Sequence, residues 1–464
     1  MPLKFVFGPS GSRKSTYLYQ HVIEESEKYP LKNFIVLVPE QFTMQTQKDL
    51  VSMHPRHGIM NIDVLSFARL AYRVFEETGT KQMQVLDDEG KNLILRKIAG
   101  DYENKLTVLK GNIKKLGYIS EVKSVISEFT QYDIGEEELD CVMKRAGEES
   151  YLYYKLKDMS LIYKKFREYL QDRYITKEEI LDVLCRTVLE SELLKRSVVV
   201  LDGFTGFTPI QNKLLRELMQ TAEKIYVTVT LDAWEDPMKK VSMHKLSYLS
   251  KKTIQQLAGA AKECGCMLEK PEVLGKEGSI RFRSAPALRF LERHLFRPGN
   301  QIYEVQDSQK LERELSLHVA RDAKAEAEFA ARTIWHLVRE ENLRYRDIAV
   351  ITGDMESFGD HMKKELQQKG IPCFIDRTRK LLLNPLVEFL RAALQIAAKS
   401  FRYESMFRYL RTGLAGLKKD EIDRLENYVL ANGISSRRRW EEPWDEQEEP
   451  FKEKILPPLL AFVD

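Results

Sequence analysis

The sequence predicts an α/β fold: a parallel sheet flanked by helices, built around a phosphate-binding loop and carrying an inserted all-helical domain. Three observations lead there. Apolar strands alternate with helical patterns from the start of the chain. The first strand runs straight into a glycine-containing loop that ends in Lys-Ser. A long charged helical stretch then separates this opening from two further apolar strands.

The first strand, Leu3-Lys4-Phe5-Val6-Phe7, leads into Gly8-Pro9-Ser10-Gly11-Ser12-Arg13-Lys14-Ser15 and then into a helical pattern. Such a loop wraps backbone N–H groups around a nucleotide's phosphates and aims a helix N-terminus at them. Its lysine reaches the β and γ oxygens and its hydroxyl serves Mg²⁺. The whole run from Gly8 to Ser15 is therefore the candidate ATP site, with Lys14 and Ser15 in the last two roles. Position 13 departs from the pattern, since glycine is expected before the lysine and the Arg13 side chain crowds a turn that must approach phosphate closely. An ordinary strand-turn-helix connection with a surface lysine is the other reading of these residues.

A second strand, Asn33 to Val38, ends at Pro39-Glu40-Gln41-Phe42-Thr43 and is followed by a polar helix through Leu50. A third, Asn61 to Leu65, leads into a helix whose Phe67, Leu70, Ala71 and Val74 recur at helical spacing. From about Asp87 to Lys195 the texture is of charged helices with no strand pattern. Leu93, Ile94, Lys97 and Ile98, then Val122, Val125, Ile126 and Phe129, mark the expected faces. The sheet returns at Ser197 to Asp202 and at Lys224 to Asp232, continuous apolar runs suited to central, doubly covered strands.

Composition bounds the function without choosing it. The 464 residues suffice for roughly three domains. Lysine and arginine number 73 against 70 acidic residues, a net charge of +3, so nucleic-acid binding would rest on local patches. Cys141, Cys185, Cys264, Cys266 and Cys373 are scattered, which reads as reduced thiols and not as a metal site. No apolar run reaches bilayer-spanning length and no leader opens the chain, so the expected compartment is the cytoplasm.

Asp202, at the tip of the fourth strand, is the second constellation. In phosphate-loop enzymes an aspartate there holds the Mg²⁺ shell through water, and an acidic residue after it positions the water that attacks the γ-phosphate. Here Gly203 follows. Nucleotide binding with slow or absent hydrolysis is the expectation; a turn or cap role for Asp202 is the alternative.

The run Asp202-Gly203-Phe204-Thr205-Gly206-Phe207-Thr208-Pro209-Ile210-Gln211 resembles the second motif of superfamily 1 DNA helicases, Asp-Glu-Phe-Gln-Asp-Thr-Asn-Pro-Ile-Gln. Asp202, Phe204, Pro209, Ile210 and Gln211 match, whereas Gly203, Thr205 and Gly206 replace the residues that link hydrolysis to DNA. Together with Val38 to Gln45 and Val64 to Arg73, this pattern is similar to the B subunit of bacterial AddAB helicase-nucleases. The likeness continues through Tyr345 to Asp354 and Gly370 to Asp376, which look like the opening of a second motor domain.

The resemblance implies a RecA-like P-loop domain at 1–75 and 196–300 and a helical insertion at 76–195. It implies the start of a second RecA-like domain at 301–384 and a further helical insertion at 385–464. It implies ATP and Mg²⁺, single-stranded or duplex-end DNA, an A-subunit partner in a heterodimer, and double-strand break repair through scanning for a recombination signal. The family's nuclease and 4Fe-4S cluster lie near the end of a longer chain, so this sequence is expected to be an N-terminal piece whose own cysteines hold no cluster.

Gln41, Phe42 and Thr43 are the DNA-binding positions carried over from relatives, with polar groups for phosphate and an aromatic for stacking. Loop packing is their other reading. Lys105, Lys110, Lys114 and Lys115 are candidate backbone contacts or simply a solvated face. Arg437-Arg438-Arg439-Trp440, followed at once by acidic residues, is expected to be an exposed, charge-balanced loop. The competing functional class is a working P-loop NTPase or small-molecule kinase with no role on DNA.

Overall fold

The computed structural model describes residues 2–79, 84–113, 115–171, 173–297, 299–375, 381, 384–399 and 401–463. Lys114 and Asp376 lie outside them. The chain divides into two units, Met1–Ser316 and Leu317–Asp464.

The first unit opens β1 (Pro2–Gly8), α1 (Lys14–Lys28), β2 (Asn33–Leu37), α2 (Thr43–Met53), β3 (Ile62–Leu65) and α3 (Phe67–Thr78). After β4 (Gln84–Leu86) come α4 (Asp88–Asp101), α5 (Leu116–Gln131), α6 (Glu136–Ala146), α7 (Tyr151–Leu170), β5 (Tyr174–Thr176), α8 (Ile180–Thr187) and α9 (Glu192–Lys195). The unit closes with β6 (Ser197–Leu201), α10 (Pro209–Thr221), β7 (Lys224–Thr230), α11 (Tyr248–Glu263), β8 (Met267–Leu268), β9 (Glu272–Val273), α12 (Pro286–His294) and α13 (Ser308–Glu314).

One parallel sheet runs in the order β3-β2-β6-β7-β1-β8, with β9 also on β1. Its alternating side chains build two cores. Phe34, Val36, Val198, Val200 and Tyr226 face Leu18, Val22 and Leu50 from α1 and α2. Ile35, Leu37, Val199, Leu201, Ile225 and Val227 face Leu70, Val74, Leu184, Leu214 and Leu257 from α3, α8, α10 and α11. Burial on both sides explains why β2, β6 and β7 read as unbroken apolar runs.

The helical block α4 to α7 has a core of its own, including Leu95, Ile98, Ile119, Val122, Ile126, Ile162 and Phe166. Two expectations are corrected here. A strand does enter the stretch: β5 pairs in parallel with β4, Val85 opposite Ile175. The face of α4 is also rotated, with Lys91, Leu95, Ile98 and Ala99 buried while Leu93 is exposed. The Lys91 ammonium lies 2.7 Å from the partly buried Glu178, and this pairing puts a buried cation where periodicity expects an apolar residue. In the same block Asp158, buried on α7, accepts from the backbone N–H groups of Thr107, Val108 and Leu109 at 2.8–3.0 Å and from the Thr107 hydroxyl at 3.0 Å.

The second unit contains α14 (Ala323–Arg339), α15 (Met355–Gln368), α16 (Pro385–Lys399), α17 (Tyr403–Leu410), α18 (Lys419–Ala431), α19 (Arg437–Glu441) and α20 (Glu449–Val463). Residues 348–352 and 371–375 carry no strand pairing among the described residues. They line a groove of about 670 Å³ beside α14 and α15. The basic cluster is not the expected exposed loop. Arg437 to Glu441 form α19, and Trp440 is fully buried in the core of α16 to α20. Arg437 pairs with Glu441 at 2.9 Å and Arg438 with Glu442 at 3.5 Å, so the charge balance is real but helical. Among the described residues no helix is long and apolar enough to cross a membrane.

Candidate nucleotide site

The turn between β1 and α1 is dictated by close approach. Gly11 has φ 76°, and a Cβ there would stand 2.6 Å from Ser279 Oγ and 2.7 Å from Arg281 Cβ, so only glycine fits. Arg13, at the N-cap of α1, takes the left-handed conformation (φ 62°, ψ 34°) that glycine would adopt freely. That costs about 1–2 kcal/mol. Its side chain is exposed and borders the site, adding a cation where glycine would add nothing.

Ser10, Gly11, Arg13, Lys14, Ser15 and Thr16 line a cavity of about 610 Å³ together with Asp202, Gly203, Phe204, Thr205, Thr228, Thr230, Ile280 and Arg281. The parallel ladder makes this meeting unavoidable. Gly8 lies in register with Thr230 on β7, and β7 is hydrogen-bonded to β6, so three strand ends open at one edge. Of the residues expected at the ATP site, Gly8, Pro9 and Ser12 stand behind the lining. Gly8 and Pro9 offer their carbonyl oxygens to Lys14 Nζ, which donates to each at 3.0 Å.

Burial holds the Lys14 ammonium below its usual range; Asp202 opposes this shift and Arg281 adds to it. The result is a lysine folded onto its own loop beside two arginines, an arrangement that a polyanion would relieve. Asp202 is buried at the tip of β6. Its Oδ1 accepts from Thr228 Oγ1 at 2.5 Å and its Oδ2 from the Tyr19 hydroxyl at 2.6 Å. Burial, then the neighbouring Asp202 charge, raise the Tyr19 phenol well above its ordinary range, so it stays a donor.

These residues fit a magnesium nucleotide. Arg13, Lys14 and Arg281 bring cations to the cavity lining, and Gly11 leaves a cradle that any side chain would fill. Among the described residues no group of three or more His, Cys, Asp or Glu side chains could hold a metal. Mg²⁺ does not need one, since it commonly takes one or two protein oxygens and completes its shell with phosphate and water. Ser15 would supply one such oxygen, and Asp202 would hold the shell through water.

Gly203 has φ 77°, and among the described residues Pro39 Cδ is the only atom near a Cβ built there, 3.6 Å away. Backbone conformation, not space, selects glycine. Gly203→Glu is therefore expected to lower stability by about 1–2 kcal/mol without creating turnover, because the new carboxylate leaves a backbone pointed differently from a right-handed or extended one. Urea unfolding beside a phosphate-release assay checks both halves. Downstream, Thr208 and Gln211 form a capping box, with Pro209 at the first turn of α10. Phe204 and Phe207 pack on Phe67 of α3 at 5.3 and 6.3 Å between ring centroids. The matched aromatic, proline and glutamine of the motif thus anchor its loop.

Gln41 and Phe42 are exposed, whereas Thr43 is buried and its hydroxyl donates to Glu40 O at 3.0 Å, leaving it committed to its own turn. None of the three lines the cavity. Lys105, Lys110 and Lys115 are exposed. Thr228 and Arg281 in the lining, and Tyr19 behind Asp202, escape sequence reasoning. Tyr19 lies four residues after Ser15, one helical turn along the same face, which is a usable signal. Thr228 and Arg281 have none, being delivered by strand register and by the loop after β9.

A family model described as ADDB, N-terminal, matches residues 5–292. A second, the UvrD-like helicase C-terminal domain, matches 283–454. The chain is similar to proteins whose names describe the B subunit of an ATP-dependent helicase/deoxyribonuclease. In Lachnoclostridium phytofermentans the identity is 46% over 449 residues, covering 96% of this chain and 38% of the relative. In Clostridium tetani it is 35% over 448 residues, covering 96% and 38%, and in Clostridium novyi 33% over 456, covering 98% and 39%. The chain thus spans 38–39% of the length of these curated relatives.

Proposed function

Because the chain belongs to the AddB family, matched over residues 5–292, we propose that it is the nucleotide- and DNA-handling part of the B subunit of an ATP-dependent helicase/exonuclease. The supporting observation is a single cavity shared by the Lys14 loop and Asp202, with a left-handed Gly203 where a hydrolytic carboxylate would stand. Lys14 and the α1 N-terminus hold the β and γ phosphates, Arg281 and Arg13 add charge at the open side, and Ser15 with Asp202 serves Mg²⁺. ATP bound this way sets the shape of the site and is turned over little by this chain itself.

In this reading the chain works beside an A subunit in the cytoplasm, in double-strand break repair and recombination. It holds DNA at the exposed Gln41 and Phe42, with Thr43 shaping their turn, and scans a single strand for a recombination signal. The motor domains divide as 1–75 with 196–300, and 301–384, with helical insertions at 76–195 and 385–464. The nuclease and its 4Fe-4S cluster belong to parts of the protein outside these 464 residues.

Titration with a fluorescent ATP analogue in Mg²⁺ is expected to saturate, with phosphate release near background. Arg281→Ala is expected to weaken the nucleotide roughly tenfold, the loss of one charge-assisted hydrogen bond. Salt-sensitive binding to single-stranded or forked DNA accompanies it. Helicase-like turnover by the chain alone, abolished by Lys14→Ala and indifferent to DNA, would instead mark a working NTPase.

A further inference from the structure

Tyr19 stands between the two halves of this function. Its hydroxyl donates to Asp202 Oδ2 at 2.6 Å and lies 3.4 Å from the hydroxyl of Thr46. Both side chains are buried. Thr46 belongs to α2, whose first residue, Thr43, directly follows the exposed Gln41 and Phe42. On the other side Tyr19 shares the face of α1 that carries Ser15. Asp202, as a carboxylate, only accepts, so the Tyr19 hydroxyl donates a hydrogen bond to it and its oxygen is left to accept from Thr46. The chain of hydroxyls therefore has a direction, and Asp202 sets it.

We propose that Tyr19 is a positioning residue that couples nucleotide occupancy to DNA affinity through an Asp202–Tyr19–Thr46 relay. This rests on the reading of a nucleotide cavity and a DNA-contacting turn given above. In this structure Asp202 has both oxygens engaged, by Thr228 and Tyr19. When Asp202 turns to serve the magnesium nucleotide, Tyr19 loses its acceptor and donates to Thr46 instead. Thr46 then gives up its own donation, α2 shifts its hold on the neighbouring turn, and Gln41 and Phe42 are re-aimed. Coupling of this kind is reciprocal, so DNA must alter nucleotide affinity by the same factor.

The test measures anisotropy of a labelled oligothymidylate on the 464-residue chain, with and without Mg²⁺ and ATPγS, and the reverse titration at saturating DNA. The parent is expected to show a coupling factor of about fivefold or more, equal in both directions. Tyr19→Phe and Thr46→Val each bring it below about twofold while each ligand alone still saturates; Thr46→Ser, which keeps the hydroxyl, retains it. Backbone hydrogen exchange across Thr43–Met53 should respond to ATPγS in the parent and in Thr46→Ser only. Should Tyr19→Phe fail to fold, the Thr46 pair decides alone. A parent that binds both ligands with no coupling, or a Thr46→Val protein that keeps it, overturns the relay and leaves the underlying function intact. A parent that binds neither ligand removes that function as well, and the relay with it.

Discussion

Lys14→Ala is expected to weaken magnesium-nucleotide binding on the order of a hundredfold while leaving the fold intact. The ammonium now spends its hydrogen bonds on the carbonyl oxygens of Gly8 and Pro9, two groups of its own loop that also accept from the backbone N–H groups of Leu231 and Ser12 at 3.1 and 3.3 Å. Losing them costs little. Turned toward phosphate, the same group makes charge-assisted bonds in a partly buried site, each worth about 1.5–3 kcal/mol. The pH dependence has a definite sign. Burial depresses the Lys14 pKa below its ordinary 10.5, so the free protein loses this proton earlier than a solvated lysine would. Phosphate restores the charged form. Affinity in the parent should therefore fall as pH rises through the depressed pKa, with proton uptake on binding in that window. The slope should vanish in Lys14→Ala. Titration calorimetry in buffers of different ionisation enthalpy measures the affinity and the proton uptake together.

The second large effect belongs to Asp158. Three consecutive N–H groups, of Thr107, Val108 and Leu109, converge on its carboxylate, and the segment they belong to sends Leu106, Leu109 and Ile113 into the core of the helical block. Asp158→Ala leaves the buried Leu109 N–H and the two partly buried ones unpaired, the buried one at a cost of about 1–3 kcal/mol before relaxation, so a net loss of roughly 2–4 kcal/mol is expected. Asp158→Asn keeps one acceptor but aims an amide toward the same donors, and should fall between parent and alanine. Urea unfolding gives the magnitudes. Hydrogen exchange should place the loss in residues 106–113, with α1 and its loop unaffected.

What could be read from the chain beforehand follows the range over which each feature is determined. The loop from Gly8 to Ser15 and the strand ending in Asp202 are local: an apolar run, a glycine turn and a helix start are contiguous, and a parallel ladder leaves their ends one place to meet. The AddB likeness is legible for the same reason, since Asp202, Phe204 and Pro209 to Gln211 form one short run. Features created by distant partners are hidden. The buried face of α4 escapes periodicity because Glu178, almost ninety positions away, neutralises Lys91. Trp440 reads as exposed because its acidic neighbours give no hint that α16 to α20 close around it. Strand β5 is three residues long and is a strand only because β4 lies beside it. Arg281 reaches the cavity from a loop that no periodicity predicts, and Tyr19 declares its helical face but not the carboxylate it meets.

The backbone at Gly203 bears on how such a site changes over generations. While an acidic side chain occupies that position, the peptide must stay in a conformation that side chain tolerates. Once glycine relaxes into φ 77°, a single substitution back to glutamate no longer suffices, because the peptide would also have to swing round and its neighbours would have to move with it. Under the proposed function, loss of a carboxylate here works as a ratchet: one mutation forward, several coordinated ones to return.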